Sequence, residues 1–245
     1  MDEEGNITRR RALIAGGAVL VFGGGVAYIG SRSDASGQHY VPDTTHAGSG
    51  TTGFDVDLDG RPIAGKRDAP VDIYYWTDYL CPFCKQFETE TLPELGRKFL
   101  DTGDARLAVL PYPNIGAYSM PAAVWGRCVW SQVAESNPDA FWNWHSAAFA
   151  EQADSGTDWA DEATFAAVTE QTDGVDRSAV ETCREERSSS IRARIEPNVG
   201  VARESRIMGT PGFVLYNRDS GAAGKLVGAH PYENFAEAIE KVMEA

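Results

Sequence analysis

Cys81-Pro82-Phe83-Cys84 lies between an apolar, strand-like run (Val71, Ile73, Tyr74, Tyr75, Trp76) and a helix-like run from Lys85 to Leu100. Two thiols therefore stand at a strand-to-helix junction. Unpaired backbone N–H groups and the positive end of the helix dipole favour an anion there, so the first sulfur ionises more readily than a free thiol. The spacing brings the two sulfurs within reach of each other. The pair can cycle between dithiol and disulfide, with the two intervening residues tuning the redox poise. Taken alone, such a pair is also half of a metal site.

Working outward, Phe54, Val56 and Leu58 alternate with acids before an Asp59-Gly60 turn, which predicts a short edge strand or hairpin arm at the start of the folded part. The helix after the cysteines contains Pro93, which predicts a kink or break near Thr91-Leu92. A second central strand is expected over Arg106 to Leu110. From about Tyr118 to Ile207 the pattern turns helical: Met120 to Val133, Ala140 to Phe149, Glu162 to Thr169, Arg177 to Arg187 and Ile191 to Ser205. Such a block between strands reads as an inserted helical subdomain, with Trp125, Trp130, Phe141, Trp142, Trp144 and Phe149 as its core. His145 lies in that cluster with no signature carboxylate or serine beside it, which reads as a structural or partly exposed imidazole. Strands return at Phe213 to Tyr216 and Lys225 to Gly228, and Tyr232 to Met243 closes the chain as an amphipathic helix. The order is α/β, with a mixed central sheet whose last hairpin is antiparallel.

Gly209-Thr210-Pro211-Gly212 directly precedes the strand at Phe213, about 130 residues after the cysteine pair. Together, the cysteine pair after a strand and Thr210-Pro211 before one resemble the thioredoxin fold. The helical insert at about 115–207, Asp78-Tyr79-Leu80-Cys81-Pro82-Phe83-Cys84, Phe141-Trp142 and the run from Gly228 to Phe235 narrow this to the DsbA-like thiol:disulfide oxidoreductases, a resemblance that covers 54–245. It implies that Cys81 is the exposed nucleophile forming the mixed disulfide with a substrate thiol, and Cys84 the buried partner. It implies a cis Pro211 that brings the Thr210 backbone against the pair, where it can meet an extended peptide. Pro82, Phe83, Thr210 and Pro211 are then the substrate-binding residues. Beyond the redox-active Cys81–Cys84 disulfide no cofactor is expected. Many relatives carry an acidic residue six positions before the first cysteine, which exchanges protons with the buried thiol; this chain has Tyr75 there. Asp78 is nearer in sequence and is expected to point elsewhere, so Asp78, Tyr75 or water is left to serve Cys84.

Cys128 and Cys183 are too far apart in sequence to complete a zinc knuckle, and no metal site is expected. In an exported chain this even leftover pair reads either as a structural disulfide closing the insert or as two buried free thiols.

The 245 residues carry 36 acidic against 22 basic side chains, a net charge of −14, with only five lysines. That argues against phosphate-backbone binding, hence no nucleic-acid partner, and fits a protein that stays soluble in high salt. Thr8-Arg9-Arg10-Arg11 precedes an apolar run from Ala12 to Ile29, the layout of an export signal resembling the twin-arginine type; an uncleaved membrane anchor through 12–29 is the alternative for residues 1–30. Residues 31–53, rich in Ser, Thr, Gly and Asp and carrying His39 and His46, read as a flexible, solvated linker. The expected protein is an extracytoplasmic, secreted or membrane-anchored oxidoreductase, acting as an oxidase on cysteine-containing exported proteins and re-oxidised by a membrane or small-molecule redox partner. A reductase or isomerase, or a non-enzymatic peptide-binding module on the same fold, is the alternative.

Overall fold

The computed structural model describes residues 40–153 and 156–245, together with the backbone of 21–22 and 25–26. Val21–Phe22 and Gly25–Val26 pair antiparallel within a separate unit, Met1–Gly37. The export segment expected over 1–30 otherwise lies outside the described residues, as does His39.

Six strands form one mixed sheet: β1 (Thr45–Ala47), β2 (Pro62–Ala64), β3 (Val71–Thr77), β4 (Ala105–Pro111), β5 (Gly212–Asn217) and β6 (Ala223–Val227), in the spatial order β1-β2-β4-β3-β5-β6. Only β3 and β4 run parallel, with Tyr75 opposite Val109; every other neighbour is antiparallel. A parallel pair needs a crossover, and here the helical stretch 82–100, α1, supplies it. This is the α/β thioredoxin-like architecture with a mixed sheet and an inserted helical subdomain.

The period-two alternation of β3 sorts its side chains between two cores. Val71, Ile73 and Tyr75 face the larger one, shared with Phe87, Phe213, Phe235 and the aromatic residues of the insert. Tyr74 and Trp76 face the smaller one, with Val56, Leu58, Ala202 and Ile207. All seven β3 residues are buried, so the strand leading to the cysteines is fixed from both sides.

α1 is irregular where Pro93 demands it. Two α-helical segments, Pro82–Gln86 and Leu92–Leu95, alternate with π-helical turns, Phe87–Thr91 and Gly96–Leu100, and the Leu92 amide reaches back five residues to Phe87 O. A proline lacks the N–H that an α turn would use, and the wider turn just before it absorbs the mismatch without ending the helix. The same turn contains Glu88, buried with Phe87 and Thr91.

Four helices lie between β4 and β5: α2 (Ser119–Val133), α3 (Asp139–Ala150), α4 (Glu162–Gln171) and α5 (Arg177–Glu204). The two helices expected over 177–205 are one helix of 28 residues that continues through Pro197. Burial of Ile191, Ile195, Asn198 and Ala202 along one face holds it together across the missing hydrogen bond. Cys128 of α2 and Cys183 of α5 form a disulfide, with S–S 2.07 Å, and the Arg184 guanidinium lies 3.8 Å above the Trp125 ring. The chain closes with α6 (Tyr232–Glu244), which buries Phe235, Ile239 and Val242.

Two expectations need correction at the N-terminal side. The stretch read as linker over 31–53 is structured from Tyr40 onward, and the domain does not begin at 54. Tyr40 is buried, its hydroxyl donates to Asp101 Oδ1 at 2.7 Å, and its ring fills the place where a Cβ on Gly96 would sit. β1 is the edge strand, and His46 within it is buried rather than solvated. The edge strand expected over 54–58 is instead a 3₁₀ turn, Gly53–Asp55, followed by an isolated bridge between Thr51 and Asp57. Alternation with acids does bury Val56 and Leu58, but against the second face of the sheet rather than in a ladder.

Candidate active site

β3 ends at Thr77, and Asp78 shapes the turn that follows. Its Oδ1 accepts from Leu80 N at 2.9 Å and its Oδ2 from Asn114 N and Ile115 N at 2.8 and 3.0 Å. Three backbone amides occupy the carboxylate, so it ties the β3–α1 turn to the loop after β4. Cys81 follows as the N-cap of α1, with extended backbone (φ −83°, ψ 117°) and Pro82 at the first helical turn. Cys84 N and Lys85 N reach back to Cys81 O at 3.0 and 3.2 Å. Proline suits that position because its missing N–H has no partner to lose there.

Both cysteines are free thiols, and the geometry treats them oppositely. The Cys81 thiol is lowered from 9.0 to about 6. The hydrogen bond from Cys84 is the largest cause, assisted by Thr210 and by the N–H groups of Cys84 and Phe83, against burial, which raises it. Cys84 sits one turn in, facing β3. Burial pushes its thiol well up, and the neighbouring Cys81 adds to this, while Thr77 and the Asp78 backbone oppose it.

Thr210-Pro211, joined by a cis peptide bond, enters β5 beside the pair. Cys81 Sγ donates to Thr210 O at 3.1 Å, and Thr210 Oγ1 lies 3.3 Å from Asn114 Oδ1. The structure therefore brings together Cys81, Pro82, Phe83, Cys84, Thr210 and Pro211. Phe83 is 59% exposed, and Cys81, expected as an exposed nucleophile, is only 1% exposed. The end of α3 closes over this corner. Gln152 Nε2 donates to Tyr79 O and Cys81 O at 2.6 and 3.2 Å, and Lys85 Nζ donates to Gln152 O at 2.9 Å. Cys128 and Cys183 belong to the insert's own packing.

Sequence reasoning missed the polar groups beneath the pair. Tyr75 is fully buried, stacked on Phe213 with 5.0 Å between ring centroids, and its hydroxyl accepts from Thr77 Oγ1 at 2.9 Å. Burial, then the charges of Glu88 and Cys84, push its ionisation well up. His145, read as lacking a carboxylate partner, has one: its Nε2 lies 3.0 Å from Glu88 Oε1, and its Nδ1 lies 2.8 Å from Tyr79 Oη. Glu88 is 57 positions away in sequence, so no local motif could join the two. A weaker signal was present: Cys84, Phe87, Glu88, Thr91 and Leu95 share the buried stripe of α1, and an acid on such a stripe needs a partner.

Among the described residues, no three His, Cys, Asp or Glu side chains are placed to hold a metal ion, and no helix is long and apolar enough to cross a membrane.

Comparison with known proteins places these features in context. A family model described as thioredoxin matches residues 57–241. Disulfide bond formation protein D of Bacillus subtilis is 26% identical over 201 residues, covering 82% of this chain and 85% of that protein. The crystal structure of oxidised BdbD from Bacillus subtilis superposes with a TM-score of 0.66 at 24% identity, over 82% of this chain and all of that one. Pseudomonas aeruginosa DsbA2 superposes with a TM-score of 0.60 at 23% identity, over 81% and 94%.

Proposed function

The chain belongs to the thioredoxin family, in the DsbA-like form of that fold, and from this premise we propose that it is an exported thiol:disulfide oxidase for proteins. Cys81 and Cys84 are its redox couple, and Pro82, Phe83, Thr210 and Pro211 form the surface that meets the substrate. The observation that carries this reading is the paired geometry of the thiols: the N-cap sulfur Cys81 is lowered to about 6 while Cys84 is held as a thiol. At neutral pH the first sulfur is an anion, hence a good leaving group, and stabilising the reduced form makes the disulfide more oxidising.

A protein substrate is favoured by the rim. Of the large hydrophobics exposed among the described residues, Phe83, Ile115, Met208 and Val227 all belong to segments bordering the pair. Ile115 follows Asn114, which faces Thr210; Val227 lies opposite Gly212; and Gly228 N donates to Pro211 O at 2.8 Å. An apolar rim around a reactive sulfur suits an unfolded chain whose cysteines are still free.

Export is supported by the twin-arginine-like N-terminus and by the name of the Bacillus subtilis relative, since disulfides persist outside the reducing cytoplasm. The acidic, lysine-poor composition suits a salty environment.

The test is catalysed oxidation of a reduced, disulfide-requiring protein by the unaltered chain and by Cys81→Ser, together with a reduction potential measured against glutathione. The unaltered chain is expected to oxidise and Cys81→Ser to be inert. Activity retained by Cys81→Ser would favour a peptide-binding module, and a potential near the roughly −270 mV of thioredoxin would favour a reductase.

A further inference from the structure

The turn that carries the first thiol presents two buried carbonyls, and α1 serves only one of them. Cys81 O accepts from Cys84 N and Lys85 N at 3.0 and 3.2 Å as the helix begins. Tyr79 O, two residues earlier, lies outside the helix, and Pro82 has no N–H to offer it. The donor comes from the insert. Gln152, just beyond the end of α3 and only 6% exposed, directs its Nε2 at Tyr79 O and Cys81 O, at 2.6 and 3.2 Å. The two hydrogens of one amide are thus spent on the two carbonyls that flank Leu80. The partners are 73 and 71 positions apart in sequence, so tertiary packing alone brings them together.

We propose that Gln152 is a positioning residue for the Cys81 sulfur, fixing the Tyr79–Cys81 turn so that Sγ stays against Thr210 O at the N-terminus of α1. Gln152 bonds the carbonyl of Cys81 rather than its sulfur, so it acts through Cys81. The turn runs directly into the residue that bears the thiol. If it relaxes toward solvent to hydrate Tyr79 O, the Cys81 side chain goes with it, away from the Thr210 O contact at 3.1 Å and from the first amides of the helix. Gln152 is itself held from the other side. Lys85 Nζ, four positions after Cys81, donates to Ala150 O and Gln152 O at 3.3 and 2.9 Å, at the end of α3, where a cation is favoured. The two ties cross. Gln152 of the insert reaches into the catalytic turn, and Lys85 of α1 reaches back to the Gln152 backbone, so the placement of the insert is passed to the reacting residue.

The competing account is plain packing, with Gln152 filling the gap between the insert and the turn. An apolar side chain of the same length would do that without burying an amide, which is costly unless its hydrogens are bonded. Here both contacts of Nε2 go to the catalytic turn and none to the insert's own backbone. One of them falls on the residue that carries the reactive sulfur. That choice of partners, together with the return tie from Lys85, is what positioning requires and what gap filling does not.

The inference rests on reading Cys81 as the reacting thiol, and two readouts keep the two apart. The full chain is made as Gln152→Met, which keeps the length and bulk of the side chain but has no donor, and as Gln152→Ala, which loses both; circular dichroism and a thermal melt verify that each is folded. In the reduced chain, Cys81 is titrated by its thiolate absorbance. Separately, the Cys81–Cys84 pair is equilibrated with reduced and oxidised glutathione at pH 7. The Cys81 midpoint, about 6 in the unaltered chain, is expected to rise by about half a pH unit in both variants. The glutathione equilibrium is expected to move about two- to threefold toward the disulfide, because the reduced form has lost thiolate stabilisation. A loss of stability shared by both redox forms moves neither readout. An unchanged midpoint and equilibrium in either folded variant overturns the proposal; a shift confined to Gln152→Ala would assign the effect to packing. Failure of the unaltered chain to exchange with glutathione overturns the oxidoreductase reading instead, and the titration still decides the role of Gln152.

Discussion

The strongest pull on the Cys81 thiolate is the hydrogen bond from Cys84, ahead of Thr210 and the helix N-terminal amides. Two replacements of Cys84 isolate that contact: Cys84→Ser keeps a donor, while Cys84→Ala removes it. A hydrogen bond to a charged group contributes roughly 1.5–3 kcal/mol, and 1.36 kcal/mol changes an ionisation constant tenfold. The Cys81 titration midpoint is therefore expected to move up by about one to two pH units in Cys84→Ala relative to Cys84→Ser. At about pH 6, where half of Cys81 is ionised in the unaltered protein, the thiolate fraction in Cys84→Ala falls to about a tenth or below. The assay is thiolate ultraviolet absorbance followed against pH. It reads population directly, whereas alkylation rates are partly offset because a thiolate of higher pKa is intrinsically more nucleophilic. With Cys84 replaced in both proteins, Cys81 is the only free thiol that can contribute. Equal midpoints in the two variants would refute the reasoning and leave the helix terminus and Thr210 as sufficient causes.

The reduced protein is expected to lose stability on acidification. Cys81 is lowered from 9.0 to about 6 on folding, so its contribution is complete above the unfolded thiol's range and is lost as pH falls through about 6. Three decades of ionisation constant correspond to at most about 4 kcal/mol; urea midpoints of reduced and oxidised protein that run parallel between about pH 6 and 9 would contradict this. Replacing Cys128 and Cys183 together by Ala reopens a loop spanning 55 positions, which the chain-entropy relation puts at about 4 kcal/mol. A clear fall in melting temperature with unchanged Cys81 titration is the expected result. Asp78→Asn turns one acceptor oxygen into a donor facing backbone amides, and a loss of roughly 1–3 kcal/mol in denaturant unfolding is expected.

What was legible in the sequence follows from how local the physics is. The cysteine pair, Thr210-Pro211, the two central strands and the helical insert announce themselves through short-range pattern, turn chemistry and element order, and each has its counterpart in the structure. Apart from the local turn at Gly53–Asp55, the misreadings involve partners distant in sequence. Tyr40 and His46 looked solvated because what buries them, Gly96, Asp101 and the β2 edge, comes later in the chain. The break expected within 177–205 disappears because tertiary packing along one helix face outweighs the lost hydrogen bond at Pro197. Cys81, which the family resemblance implied to be exposed, is buried, its sulfur against Thr210 O and its carbonyl held by Gln152, both distant in sequence. The Glu88–His145 contact went unread because 57 positions separate its partners.

The two sulfurs owe their opposite character to one geometric fact: they occupy successive turns at the start of the same helix. Cys81, at the cap, faces N–H groups and Thr210, and its anion is supported by groups that need no rearrangement. Cys84 faces β3, where anionic sulfur would lie in an apolar core with only Thr77 and the Asp78 backbone to support it. The hydrogen bond between them enforces the asymmetry, because a proton held by Cys84 stabilises the Cys81 anion and the Cys81 anion discourages loss of that proton. Reaction order follows. On the proposed function, Cys81 attacks or leaves first as the anion, whereas Cys84 acts only once a mixed disulfide has removed the Cys81 charge.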